Sequence, residues 1–200
     1  MNYISIGTSK LISCVIVTSL IIAVPSRVTF AGNQWGALAR YAGEIITGVI
    51  STVVIDRLNN PNGGTAQASQ QNQTVSNVEN FARRHFSTDD GCNISATMRF
   101  YAPQVYSEGS YVNSDNVLRT KQAVCKLYRK DSLLSIREGS MRVSVAKGKN
   151  NIKVVDYIVD FDVFSVKQKK RLTGATKVRL VIDSSSGEQL IVGESHKQIS

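Results

Sequence analysis

The chain is poor in the residues that most often announce chemistry. Its 200 residues include two histidines, three cysteines, three prolines and one tryptophan. Cysteines without histidines beside them exclude a Cys/His zinc cluster. No glycine-rich phosphate loop occurs, and no serine elbow with histidine and aspartate partners. No apolar run reaches the ~20 residues of an ordinary membrane-spanning helix. The basic clusters are short: Arg83-Arg84, Lys126 with Arg129-Lys130, and Lys167 to Arg171. None is interleaved with aromatics as a surface for single-stranded nucleic acid would be, so no nucleic-acid partner is expected. No pattern calls for a cofactor or a metal.

What is present begins at the N-terminus. Lys10 is the only charge in the first ten residues, and Leu11 to Val24 is apolar except for Ser13, Thr18 and Ser19. Pro25 ends that run, and Thr29-Phe30-Ala31 places small residues three and one positions before Gly32. This is the layout of an export signal over residues 1–31, cut between Ala31 and Gly32. The alternative is an uncleaved anchor. Cys14 precedes the bulk of the apolar run, which is the wrong order for a lipoprotein box. About 169 residues then remain, room for one domain and an extension. Without Lys10 and Arg27 the chain carries 22 basic and 15 acidic residues. The excess fits an anionic partner, or simply cations scattered over a solvated surface. Cys92 and Cys125 are an even pair, and an exported, periplasmic or extracellular chain would oxidise them to one disulfide. Otherwise they pack as two small thiols.

Trp35, Leu38, Ala42, Ile45, Ile46, Val49, Ile50 and Val53 recur at helical steps, which predicts one helix over 33–58 within a segment of residues 32–58. Gly36, Gly43 and Gly48 are costly in a helix and imply close approach to another backbone. Trp35, Leu38, Ile45, Ile46, Val49 and Val53 therefore form a candidate face for self-association, a protein partner or a membrane surface. A helix folded back on its own domain is the other reading. Residues 59–74, rich in Asn, Gln, Gly and Ser, read as a flexible linker. From Val75 the pattern gives three helices, near 75–87, 93–101 and 115–129. Pro103 halts the second of them. After Lys130 the period becomes two, with Val155, Tyr157, Val159, Phe161 and Val163 on one strand face and Asp156, Asp160 and Asp162 on the other. The expectation is an α+β domain over 75–200, with helices packed on a curved four-stranded antiparallel sheet and an extra N-terminal helix.

Residues of about 75–198 resemble the nuclear transport factor two-like superfamily, also called ketosteroid-isomerase-like. The resemblance lies in Arg99-Phe100-Tyr101-Ala102-Pro103-Gln104-Val105-Tyr106, the helix Asn116 to Arg129, and the long strand hairpin. Thr173-Gly174-Ala175 and Ile191-Val192-Gly193-Glu194-Ser195 are similar to its last two strands. It implies a cone with an internal pocket, whose polar edges would come from Tyr101, Tyr106 and Tyr157. Members include isomerases and dehydratases with an acidic base and tyrosine or histidine donors. They also include non-catalytic modules, among them periplasmic scaffold domains of secretion machines. No catalytic residue transfers one to one. The strand acids alternate outward, where Asp160 is expected opposite Lys177 or Arg179, and His85 lacks an orienting acid at predictable spacing. The leading expectation is thus an exported, non-enzymatic binding or scaffold module acting through protein or small-ligand contacts. The rivals are an acid–base isomerase or dehydratase and a membrane-anchored secretion scaffold. An acidic side chain inside the cone beside Tyr101 or Tyr157 would favour the enzyme. An interior of Val, Leu, Phe and Tyr alone would favour the binder.

Overall fold

The β-branched and aromatic residues between 142 and 199 alternate along long strands, and this alternation builds a two-faced sheet. The computed structural model describes residues 34–55, 66–128 and 133–199. The expected export signal, with Cys14 and the Ala31/Gly32 junction, lies outside the described residues, as do residues 56–65 of the expected helix end and linker. In chain order the elements are α1 (Gln34–Ile46), β1 (Thr52–Val54), α2 (Ala66–Asp90), α3 (Ile94–Thr97), a 3-10 turn (Met98–Phe100), β2 (Tyr101–Ser107) and β3 (Ser110–Asn113). There follow α4 (Ser114–Leu127), β4 (Leu133–Ile136), β5 (Arg142–Ala146), β6 (Lys149–Ser165), β7 (Lys170–Asp183) and β8 (Leu190–Ile199). The sheet order is β1-β5-β6-β7-β8-β2-β3, with β4 also on β6. Every named pairing is antiparallel except β2 with β8.

The α+β class stands, and the sheet has eight strands where four were expected. The missed strands are short, and β2 contains Pro103. Proline cannot donate to a ladder, and the β2–β8 register shifts between Tyr101 and Tyr106, around that residue.

Each sheet face has its own core. On the front, Val155, Tyr157, Val159, Val178, Leu180 and Ile182 pack against Val75, Val78 and Phe81 of α2 and against Val117 and Leu118 of α4. On the back, Ile152, Val154, Val181 and Val192 pack against Ala42 and Ile45 of α1. Each fully buried large aliphatic side chain contributes about 1.5–3 kcal/mol relative to exposure.

The expected helix over 33–58 stops at Ile46. Gly48 adopts φ +84°, a backbone region other residues avoid. The β-branched triplet Thr52-Val53-Val54 then pairs with β5. The candidate docking face is divided accordingly. Ile45 is buried in the back core, and Trp35, Leu38 and Ile46 are partly buried against it. Val49 and Val53 remain 75% and 60% exposed. The close neighbour implied by the glycines is the sheet of this same chain. A Cβ on Gly43 would stand 2.8 Å from Cδ2 of Tyr106. The linker expectation is corrected for residues 66–74, which form the start of α2. Glutamines are good helix formers, and a 2.8 Å hydrogen bond donated by the Gln73 side-chain amide to Asn77 Oδ1 joins successive turns.

The outward acids are paired as expected, though in a different register. Arg179 donates to Asp156 through two bonds of 2.8 and 3.0 Å. Asp160 lies opposite Ala175 and instead receives Arg137.

Candidate functional site: a charged cluster inside the cone

Strand β8 sets the site. Ile191 faces the front core and Val192 the back core. Strict alternation would return Gly193 to the front. Its Cα–Cβ direction instead points at Ala42 and Ile46 of α1, with a Cβ only 2.8 Å from Ala42 Cβ. Two successive residues thus face the back, where the β7–β8 register shifts between Val181 and Ile182. Such a bulge re-aims everything after it. Glu194 is turned into the front core, with 3% of its surface exposed.

There it meets a complete set of partners. Tyr101 on β2 donates its hydroxyl to Glu194 Oε2 at 2.6 Å, and Ser107 donates to Oε1 at 3.2 Å. Lys121 on α4 places its ammonium 3.5 Å from Oε2 and 2.8 Å from Asp89 at the end of α2. That ammonium also lies 5.8 Å from the centre of the Tyr101 ring. His85 Nε2 is 2.9 Å from the Tyr101 oxygen. Because Tyr101 gives its only proton to the carboxylate, Nε2 must be the donor in that bond. Nδ1 is then the unprotonated nitrogen, and it is buried without a partner among the described residues. The disulfide between Cys92 and Cys125, with Cα atoms 6.0 Å apart, ties the loop after Asp89 to the helical turn after Lys121.

The electrostatics follow from this geometry. Burial alone would raise the Glu194 pKa. The Lys121 ammonium, the two histidines and the Tyr101 bond together outweigh it and hold the pKa at about 2. Burial and Lys121 lower His85 to about 4. Burial, reinforced by the nearby carboxylates, pushes Tyr101 and Tyr157 up. Burial opposes the Lys121 charge, yet Glu194 and Asp89 raise its pKa overall. Among the described residues no group of three or more His, Cys, Asp or Glu side chains is arranged to hold a metal.

No protein-family model matches the chain, and no curated protein matches it. Solved structures do. A nuclear transport factor two-like superfamily protein from Salmonella enterica serovar Typhimurium superposes with a TM-score of 0.54 at 9% identity, covering 64% of this chain and 93% of that one. A ketosteroid isomerase-like protein from Erwinia carotovora atroseptica gives 0.52 at 14% identity, covering 64% and 98%. The domain has the nuclear transport factor two-like fold. A putative dehydratase with this fold from Streptomyces avermitilis gives 0.52 at 8% identity, covering 64% and 97%. At these identities the likeness is one of fold alone.

Within that fold the three tyrosines separate. Tyr101 and Tyr157 belong to the front core. Tyr106 belongs to the back core, stacked edge-on with Tyr111 at 5.1 Å. Tyr106 is therefore removed from the proposed pocket set, because residues five apart on a strand face opposite ways. Glu194, Lys121 and Asp89 were missed. The bulge reverses the alternation that would have placed Glu194 on the back face of the sheet, away from Tyr101, and Lys121 sits on a largely polar helix. The visible signal was an acid in an otherwise small and apolar stretch, Ile191-Val192-Gly193-Glu194. His196 is the second histidine of the chain. Its side chain is 30% exposed and bonds Glu108 at 2.7 Å. Burial works against its protonation, but the bond to Glu108 and the charge of Glu194 raise its pKa.

Proposed function

We propose that the chain is an exported, non-catalytic binding module whose charged interior holds the fold together. One observation carries this reading: the charged groups inside the cone, Glu194, Lys121 and Asp89, are spent on one another and on Tyr101 and Ser107. An acid beside Tyr101 would by itself favour an enzyme, and Glu194 is such an acid. A general base, however, works best with a pKa near the working pH. Glu194 at about 2 and His85 at about 4 both lie well below neutrality, and Tyr101 is shifted up. The disulfide and the signal-like N-terminus support export.

The acid–base reading keeps one specific observation in its favour, the unpartnered Nδ1 of His85 at the end of the Tyr101–Glu194 chain. Following the His85 ring protons by NMR between pH 3 and 8 separates the two. The binding reading expects a midpoint near 4 and a neutral ring at pH 7. A midpoint between 6 and 7.5 would give the cone a working base and overturn the non-catalytic reading.

A further inference from the structure

A groove of about 780 Å³ opens between α2, the 3-10 turn after α3 and the β7–β8 connection. Its size lies within the range of small-molecule sites. Asn77, Asn80, Phe81 and Arg84 reach it from one side of α2, at spacings of three, four and seven residues. Arg99 and Phe100 come from the 3-10 turn. Both arginines are exposed and neither has an ion-pair partner among the described residues. Asn77 accepts from Gln73 through its carbonyl oxygen, which leaves its amide hydrogens available. Guanidinium forks and carboxamide hydrogens on neighbouring positions are donors suited to a carboxylate or a phosphate group. One acid, Glu188, shares the rim. It would repel a second anionic group and limit the ligand to one anionic end.

The floor makes the site more than a surface charge. Phe100 meets Phe81 edge-on at 5.2 Å and His85 edge-on at 5.4 Å. One aromatic ring therefore separates the groove from the charged interior. We propose that this groove binds a small molecule with a single oxyanion, carboxylate or phosphate, whose flat apolar body lies against Phe100. The inference rests on the binding-module reading for its biological sense, but it stands on the groove's own geometry.

Benzoate, phenyl phosphate, inorganic phosphate and the neutral benzyl alcohol are the probes, titrated into the intact disulfide-bonded protein at low ionic strength. Binding is followed by calorimetry and by the His85 ring signals. Benzoate or phenyl phosphate should bind, and whichever binds more tightly identifies the anion. Binding should weaken with salt and shift the His85 ring, while benzyl alcohol and inorganic phosphate bind at least tenfold more weakly. Arg84→Gln and Arg99→Gln, both at exposed positions, should each reduce aryl-anion affinity about tenfold or more, with circular dichroism unchanged. The proposal is overturned if neither aryl anion binds, if benzyl alcohol binds as well as benzoate, or if both variants bind like the parent. A failure here leaves the His85 midpoint near 4, and with it the non-catalytic reading, untouched. A His85 midpoint near neutrality would overturn that reading whatever the groove binds.

Discussion

Replacing Glu194 with Gln keeps the shape of the side chain and removes one charge from the centre of the cone. The carboxyl is almost fully buried, and its pKa falls from an ordinary 4.5 to about 2. At ~1.36 kcal/mol per pH unit, that difference corresponds to about 3 kcal/mol of folding stability at pH 7. Losing one partner of a buried pair typically costs ~3–5 kcal/mol, since the other charge is left uncompensated. Lys121, with 11% of its side chain exposed, would retain one carboxylate partner among the described residues, Asp89. The sign fixes the pH window. The folded pKa is depressed, so the stabilisation is fully present above pH 4.5 and disappears as the pH falls toward 2. Urea unfolding at pH 7 should therefore show a loss of about 3 kcal/mol for Glu194→Gln, a fall in Tm of roughly 6–12 °C for a domain of this size. The gap from the parent should narrow as the pH is lowered from 4.5 to 3. Glu194→Gln combined with Lys121→Met should recover part of the loss, because the buried ammonium is gone and only Asp89, whose side chain is 27% exposed, then loses its ion-pair partner. A Glu194→Gln variant as stable as the parent, or more stable, would refute the reasoning. That result would instead mark a site where stability had been given up for activity.

Three further outcomes check other parts of the structure. Cys92→Ser should lower stability by about 3–4 kcal/mol under oxidising conditions, the chain-entropy cost for a separation of 33 residues, and no further loss should follow reduction of that variant; urea melts with and without reductant measure both. Gly193→Ala should destabilise by ~1–3 kcal/mol in the same assay, since the added methyl would sit 2.8 Å from Ala42 Cβ and 3.1 Å from Ile46 Cδ1, forcing α1 off the sheet. Exported protein should begin at Gly32 when its N-terminus is sequenced, and retention of Met1 would favour an anchor.

The long strands were legible because period-two alternation across Val155 to Val163 and Val178 to Ile182 has one physical solution, a sheet with a buried front. The disulfide was legible from parity and compartment. The charged site was not, because it depends on a one-residue bulge that pattern reading cannot locate. A single slip moves an acid from one face of the sheet to the other. The end of α1 was misplaced because Ile50, Val53 and their neighbours satisfy a helical spacing and a strand propensity together. Only the φ of Gly48 and the pairing of Thr52 with Ala146 decide between them. The start of α2 was missed for a different reason. Its first turns are so polar that they carry no apolar period at all.

Strand β8 is the last of the described strands in the chain, yet it lies inside the sheet, between β7 and β2. The β2–β3 hairpin reaches the rest of the sheet only through it. Without residues 190–199 the described strands would form two sheet fragments, one ending at β7 and one made of β2 and β3, each with an unpaired inner edge. Insertion of β8 joins the two fragments, and the same step brings the Glu194 carboxylate to Lys121. Any factor that grips residues 190–199 would therefore hold the two halves of the sheet apart.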